Sequence, residues 1–317
     1  MTEVDAKTRP LLDMIAMLGA PPLSQTSPQQ FRDMRAKSRD MLNSAWPEPP
    51  QYRTFDVAGG AGPIRARLYD YAGTGRARPT LVYYHGGGFV FGDLDSHDQL
   101  CRRLAKAGDL RVIAIEYRLA PEAPFPAAVE DAWAAINDIV ARAEELGADS
   151  ARIGVGGDSA GANLATVTAR RAAIEGAPAI RHQLLFYPVT QSVRSTPSRE
   201  KFAEGYFLTR EGMDWFDGHY LPKDADRTDP NISPLLHPAP KNLAPALVIT
   251  AGFDPLFDEG RAYAEALLMA GVACRHIDYA DQIHGFASFC NFSSVAEEAI
   301  ADAANDVHAA LTGEAAR

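Results

Sequence analysis

At 317 residues the chain is long for one domain and short for two, which allows one large core with an embellishment. Its 46% hydrophobic and 23% charged residues are ordinary for a soluble globular protein. A net charge of −10 argues against nucleic acid or an anionic membrane surface as a partner.

The first residues do not read as a signal peptide, because Glu3 and Asp5 lead into an apolar stretch that Asp13 interrupts. Leu11, Leu12, Ile15 and Leu18 fall instead on one face of an amphipathic helix. The chain stays helical and proline-punctuated to residue 50. Residues 53–57 and 63–71 then predict an antiparallel hairpin turning at Gly59, Gly60 and Gly62. From there strands and helices alternate. Thr80–Tyr84 and Arg111–Tyr117 are strands, and Ala127–Leu146 is a helix after a proline-rich turn. Arg152–Gly156 is a strand, Ala160–Ala173 a helix, and Gln183–Tyr187 a strand stopped by Pro188. Ala246–Ala251 and Val272–Tyr279 are strands on either side of a helix from Asp258 to Ala270, and Ser294–Leu311 is a closing helix.

Strands separated by helical patterns imply right-handed crossovers, a mostly parallel sheet and helices on both of its faces, an α/β class. Ligands of such sheets bind beyond the C-terminal ends of the strands. Residues 51–189 and 239–317 make up this core. Residues 1–50 and 190–238 lack enough apolar residues for a core of their own, and are expected to pack together as a helical cap over the strand ends. No run of ~18 apolar residues is present, so no membrane insertion is expected. Cys101, Cys274 and Cys290 are odd in number and lack metal-ligand spacing, which points to reduced thiols, a cytoplasmic location and no metal.

Two motifs carry chemistry. Residues 157–161 read Gly-Asp-Ser-Ala-Gly, a G-x-S-x-G elbow at a predicted strand-to-helix turn, and residues 85–88 read His-Gly-Gly-Gly after another strand. A serine hydroxyl is a poor nucleophile unless a base accepts its proton and an acid orients that base. In an elbow of this type the acid and then the histidine follow the serine in chain order. Of the histidines after Ser159, only His284 sits in a loop beyond the last strand, before Gly285 and an aromatic. Asp254 follows the preceding strand and is the candidate acid; Asp258 and Asp281 are its rivals, the first better explained as a helix N-cap. Side-chain-free residues let a backbone come close to a ligand, so the amides of Gly87, Gly88 and Ala160 are the expected donors to an oxyanion. Phe89, Phe91, Tyr187, Phe207, Trp215 and Phe286 are the candidates for a substrate pocket.

These stretches, with Tyr117-Arg-Leu-Ala-Pro-Glu122, Phe125-Pro126, Asp254-Pro-Leu256, Asp258-Glu-Gly260 and His284-Gly-Phe286, closely resemble the hormone-sensitive lipase family of α/β-hydrolase esterases, in its GDSAG branch. The resemblance implies an α/β-hydrolase fold with a cap, and hydrolysis of short- to medium-chain acyl esters by a Ser-His-Asp triad through an acyl-enzyme. It implies no cofactor and a small-molecule ester as partner. It also implies a homodimer, since bacterial relatives pair through a sheet edge, and a buttressing role for Tyr117–Glu122 under the glycine loop. Amide hydrolysis or deacetylation by the same triad, and a non-catalytic receptor on the same fold, are the alternatives. An interfacial lipase is disfavoured by the lack of a long apolar lid.

Overall fold

The computed structural model describes residues 3–18, 22–73 and 76–314. In chain order its elements are α1 (Arg9–Leu18), α2 (Pro28–Leu42), β1 (Gln51–Gly59), β2 (Gly62–Asp70), β3 (Arg78–Tyr84), α3 (Asp98–Ala107), β4 (Arg111–Ile115), α4 (Ala127–Ala141), α5 (Ala143–Leu146) and β5 (Ala148–Asp158). They continue with α6 (Ala160–Glu175), β6 (Ile180–Phe186), α7 (Pro197–Lys201), α8 (Arg210–Tyr220), β7 (Ala246–Phe253), α9 (Phe257–Met269), β8 (Cys274–Ile283) and α10 (Ala296–Thr312).

The strands form one sheet of eight in the order β1-β2-β4-β3-β5-β6-β7-β8. The hairpin of β1 and β2 pairs antiparallel, and so does β2 with β4; every other pairing is parallel. Side chains alternate between the two faces of a strand. On β3, Val82 and Tyr84 enter a core with the buried faces of α4, α6 and α9, whereas Leu81 and Tyr83 enter another with α3 and α10. Both faces of the sheet are therefore covered, as a parallel sheet requires.

A third apolar cluster joins Val4, Leu11, Leu12 and Leu42 of the N-terminal segment to Ile283 and Phe289. Of the predicted stripe on α1, Leu11 and Leu12 are buried in it, Ile15 is exposed, and the side chain of Leu18 lies outside the described residues. Polar contacts reinforce the seam. The Asp5 amide donates to the Asp281 carbonyl (2.9 Å), and the Lys7 ammonium donates to the Cys290 and Ser293 carbonyls (3.0 Å each). Among the described residues no helix is long and apolar enough to cross a membrane.

Three elements depart from expectation. The strand predicted to Tyr117 ends at Ile115, because Tyr117 turns away to donate its hydroxyl to the His85 carbonyl (2.7 Å) and stack on the His85 ring. The helix predicted over 127–146 is two helices that part at Arg142. Helix α3 was not predicted, although Leu100, Cys101, Leu104 and Ala105 recur on one face and are all buried.

The two-sided sheet makes its central side chains costly to truncate. Leu81→Ala removes a fully buried side chain beside Gly156, and is expected to lower unfolding free energy by about 2–5 kcal/mol in urea titrations.

Candidate active site

Strand β5 lies in the interior of the sheet and ends at Asp158; helix α6 begins at Ala160. The whole reversal between them falls on Ser159, which adopts φ 54° and ψ −116°. Such a backbone costs a non-glycine residue ~1–3 kcal/mol and persists only where its surroundings impose it. Here they do. The Ser159 amide donates to the Phe186 carbonyl (2.9 Å), and its carbonyl accepts from Asn163 and Val189 (3.2 Å each). Only glycine fits on either side: a Cβ at Gly161 would collide with the Tyr84 carbonyl, and one at Gly157 with the backbone of Gly161.

His284 follows β8, and Asp254 follows β7. The His284 Nε2 lies 3.0 Å from Ser159 Oγ, and its Nδ1 lies 2.7 Å from Asp254 Oδ2. With the Nδ1 proton on the carboxylate side, Nε2 is left to accept from the serine hydroxyl. Asp254 is wholly buried, and its Oδ1 accepts from the Leu256 amide (2.8 Å). The rival acids are occupied elsewhere. Asp258 accepts from the Ser198 amide at the start of α7 (2.7 Å), and Asp281 accepts from the Gln282 side chain (2.9 Å).

The glycine loop runs from the end of β3 alongside this chain of hydrogen bonds. Gly87 and Gly88 have φ of 125° and 58°, so their amides turn out of the loop. Among the described residues these two amides meet no protein acceptor, and that of Ala160 opens α6 without one. His85 anchors the loop. Its Nδ1 lies 2.8 Å from the Gly86 carbonyl and its ring stacks on Tyr117 at 4.3 Å. Burial, only partly offset by that hydrogen bond, pushes its pKa down to about 4, so the ring is neutral at ordinary pH.

Ser159, His284 and the glycine loop open on a cavity of about 1220 Å³. Phe89, Phe91 and Phe207 line it. Tyr187, Trp215 and Phe286 do not. Tyr187 is buried behind the histidine, its ring 4.7 Å from His284, and Phe286 is buried behind Tyr187. Trp215 donates to the Thr26 carbonyl (3.3 Å), pointing to the N-terminal segment; its helical neighbour Phe216 faces the cavity instead. Successive helix positions diverge by about 100°, and here that rotation carries Trp215 off the wall that Phe216 faces. Sequence reasoning also missed Phe31, Arg35, Met213 and Phe289 on the cavity wall. The first three sit on α2 and α8, where only the helical period marks a face.

A family model described as alpha/beta hydrolase fold matches residues 81–288. The chain belongs to the α/β-hydrolase family. Carboxylic ester hydrolase LipN of Mycobacterium tuberculosis is 48% identical over 238 residues, covering 73% of this chain and 63% of LipN. Esterase LipI of the same organism is 38% identical over 307 residues, 93% of each chain. Among solved structures, the α/β hydrolase LAE6 from the metagenome of Lake Arreo, Spain, superposes with a TM-score of 0.93 at 43% identity, over 96% of this chain and 98% of that one. The carboxylesterase EstE1 from a metagenomic library gives 0.87 at 40% identity, over 90% and 98%. These likenesses put the hydrolase in the hormone-sensitive-lipase-like branch.

In this α/β-hydrolase the residue before the serine has a role that the motif alone does not reveal. The buried Asp158 carboxylate accepts from the Gly86 amide and from the Tyr83 hydroxyl (2.9 Å each), with His97 Nε2 at 3.3 Å. It therefore ties the elbow to the glycine loop. Burial is the largest influence on its pKa and acts to raise it, but the His97 imidazole and the Tyr83 hydroxyl more than offset burial and hold it below the ordinary aspartate range. A lowered carboxyl pKa contributes stability that is present above the unfolded-state value and is lost as the pH falls through the folded-state one. The loss of melting temperature in Asp158→Asn should thus be largest near neutral pH and shrink below about pH 4 in calorimetric scans. A loss that did not change with pH would mean that the charge is unimportant.

Proposed function

We propose that the hydrolase cleaves small carboxylic esters through an acyl-enzyme, with Ser159 as nucleophile, His284 as general base and acid, and Asp254 holding the imidazole. The observation that carries this reading is the continuous Ser159–His284–Asp254 chain, at 3.0 and 2.7 Å, beside unpartnered amides. Its kinship with named ester hydrolases supports the same reaction.

As Ser159 Oγ attacks the ester carbonyl, its proton passes to His284 Nε2. Asp254 keeps the ring in the right tautomer and stabilises the imidazolium that forms. The carbonyl oxygen becomes negative within reach of the Gly87, Gly88 and Ala160 amides, whose preorganisation carries much of the rate enhancement. The imidazolium gives its proton to the departing alkoxide, leaving an acyl-serine. Water, deprotonated by the same nitrogen, attacks that acyl group, and as the acid is released the proton passes from Nε2 back to Ser159 Oγ. Segments 1–50 and 190–238 serve as the cap that shapes the pocket and excludes water.

Ser159→Ala is expected to lower kcat on the order of 10⁴-fold with the fold intact by circular dichroism, and adding His284→Ala or Asp254→Asn should lower it little further. An organophosphate should label Ser159 in the intact enzyme. Activity of Ser159→Ala within tenfold of wild type would remove the serine from its role, and ligand binding without turnover would favour a receptor.

Acyl length is limited by rings that pack on one another at the cavity wall. Phe31 lies 5.1 Å from Phe91 and 5.9 Å from Phe216, centroid to centroid. Each buried methylene adds up to ~0.8 kcal/mol until the pocket ends, so kcat/KM should peak at acyl groups of roughly four to eight carbons. A p-nitrophenyl ester series from acetyl to palmitoyl, beside matched anilides, measures this. A peak at palmitoyl with activation at an oil–water interface would overturn the assignment in favour of a lipase.

A further inference from the structure

The active-site cavity contains more cationic than anionic side chains, eight arginines against six carboxylates, in a protein of net charge −10. Six of the eight arginines are paired with carboxylates. Arg32 meets Glu122, Arg39 meets Asp95, Arg118 meets Asp131, Arg199 meets Glu259, Arg210 meets Glu200 and Arg227 meets Asp217. Arg194 is exposed at the rim. Arg35, on α2, is different. Its guanidinium lies 4.9 Å over the ring of Phe207 and 5.4 Å over that of Phe91, and among the described residues no carboxylate or carbonyl accepts from it.

Those two rings border different parts of the site. The Phe91 amide donates to the Gly87 carbonyl (3.0 Å), so this ring belongs to the glycine loop. The Phe207 ring packs against Phe289 at 4.7 Å and borders Gly285, next to His284. Arg35 therefore touches one ring of the glycine loop and one ring beside the histidine loop, in the cavity that Ser159 also lines. A guanidinium that stacks by its faces still presents its N–H donors around its edge. Desolvation beside the rings lowers its pKa to about 10, which leaves this half-buried side chain charged at neutral pH. A side chain needed only to brace two phenyl rings could be neutral. A charged fork with free edges in a substrate cavity is suited to a planar anion, which it can bind through two parallel hydrogen bonds.

We propose that Arg35 is a specificity residue that receives a carboxylate borne by the ester substrate, so that half-esters of dicarboxylic acids or esters of carboxylate-bearing alcohols are preferred over neutral isosteres. The proposal rests on the esterase reading above.

The test compares kcat/KM within matched pairs: monoethyl adipate against ethyl heptanoate, and 4-acetoxybenzoate against 4-tolyl acetate. In the wild type, the charged member of at least one pair should be hydrolysed as well as its neutral counterpart or better, and that ratio should fall as salt is raised. In Arg35→Met the charged-to-neutral ratio should drop by about tenfold or more, with partial recovery in Arg35→Lys. If the ratio in Arg35→Met stays within about threefold of wild type, Arg35 is a ring clamp and the proposal fails. Should Arg35→Met not fold, the wild type still decides: neutral esters turned over at least a hundredfold faster than both charged partners would overturn the proposal while leaving the esterase reading in place. A wild type inactive on all four esters would overturn both.

Discussion

A single residue carries the chain from the end of β5 into α6, and it is a serine in a left-handed backbone conformation. That geometry is imposed from outside. β6 accepts the Ser159 amide, the first turn of α6 donates to its carbonyl, and the Tyr84 carbonyl presses so close that no side chain is possible at Gly161. The hydroxyl is thereby lifted clear of the sheet and set at the positive end of a sixteen-residue helix, where developing negative charge is favoured. The other members of the site fall into place because β3, β7 and β8 run parallel to β5, and so deliver the glycine loop, Asp254 and His284 to the same end of the sheet.

Fixed position also needs side-chain ties, and several of these are buried around the site. Asp158 joins the elbow to the glycine loop. Tyr117 joins that loop to the segment after β4. Glu259 at the start of α9 is fully buried; it accepts from Arg199 (2.7 Å) and from the Thr190 amide (2.9 Å), and so moors the segment leading to α7. Burial raises the Glu259 pKa, only partly offset by Arg199 and those amides, which marks the contact as one that sacrifices hydration for placement. Preorganised donors stabilise a transition state only if they do not have to move, and such ties supply that stiffness.

The sequence was most informative where chemistry forces both residue type and position. The strand-helix-strand rhythm, the elbow, Asp254 and His284 were readable because a serine nucleophile needs those groups at strand ends, and strand ends can be counted along the chain. The pocket aromatics were less readable. Phe89, Phe91 and Phe207 line the cavity, whereas Tyr187 and Phe286 form the packing behind His284 and Trp215 points to the N-terminal segment. An aromatic side chain signals burial, but not which side of a catalytic group it is buried on. Arg35 escaped notice for a related reason. On a surface-like helix an arginine looks solvated until the partners that might have neutralised it are found to be elsewhere.

The N-terminal segment has a consequence for how the catalytic histidine is supported. Asp5 and Lys7 bond to residues Asp281, Cys290 and Ser293, contacts that bracket His284 and span nearly the full length of the chain. The two Lys7 contacts join residues 283 and 286 positions apart. Contacts so distant in sequence carry a high closure entropy and form late. The histidine loop therefore depends for its support on a long-range closure that local pairing of the sheet does not supply, and loosening that seam would leave a shaped serine elbow beside an unbraced imidazole.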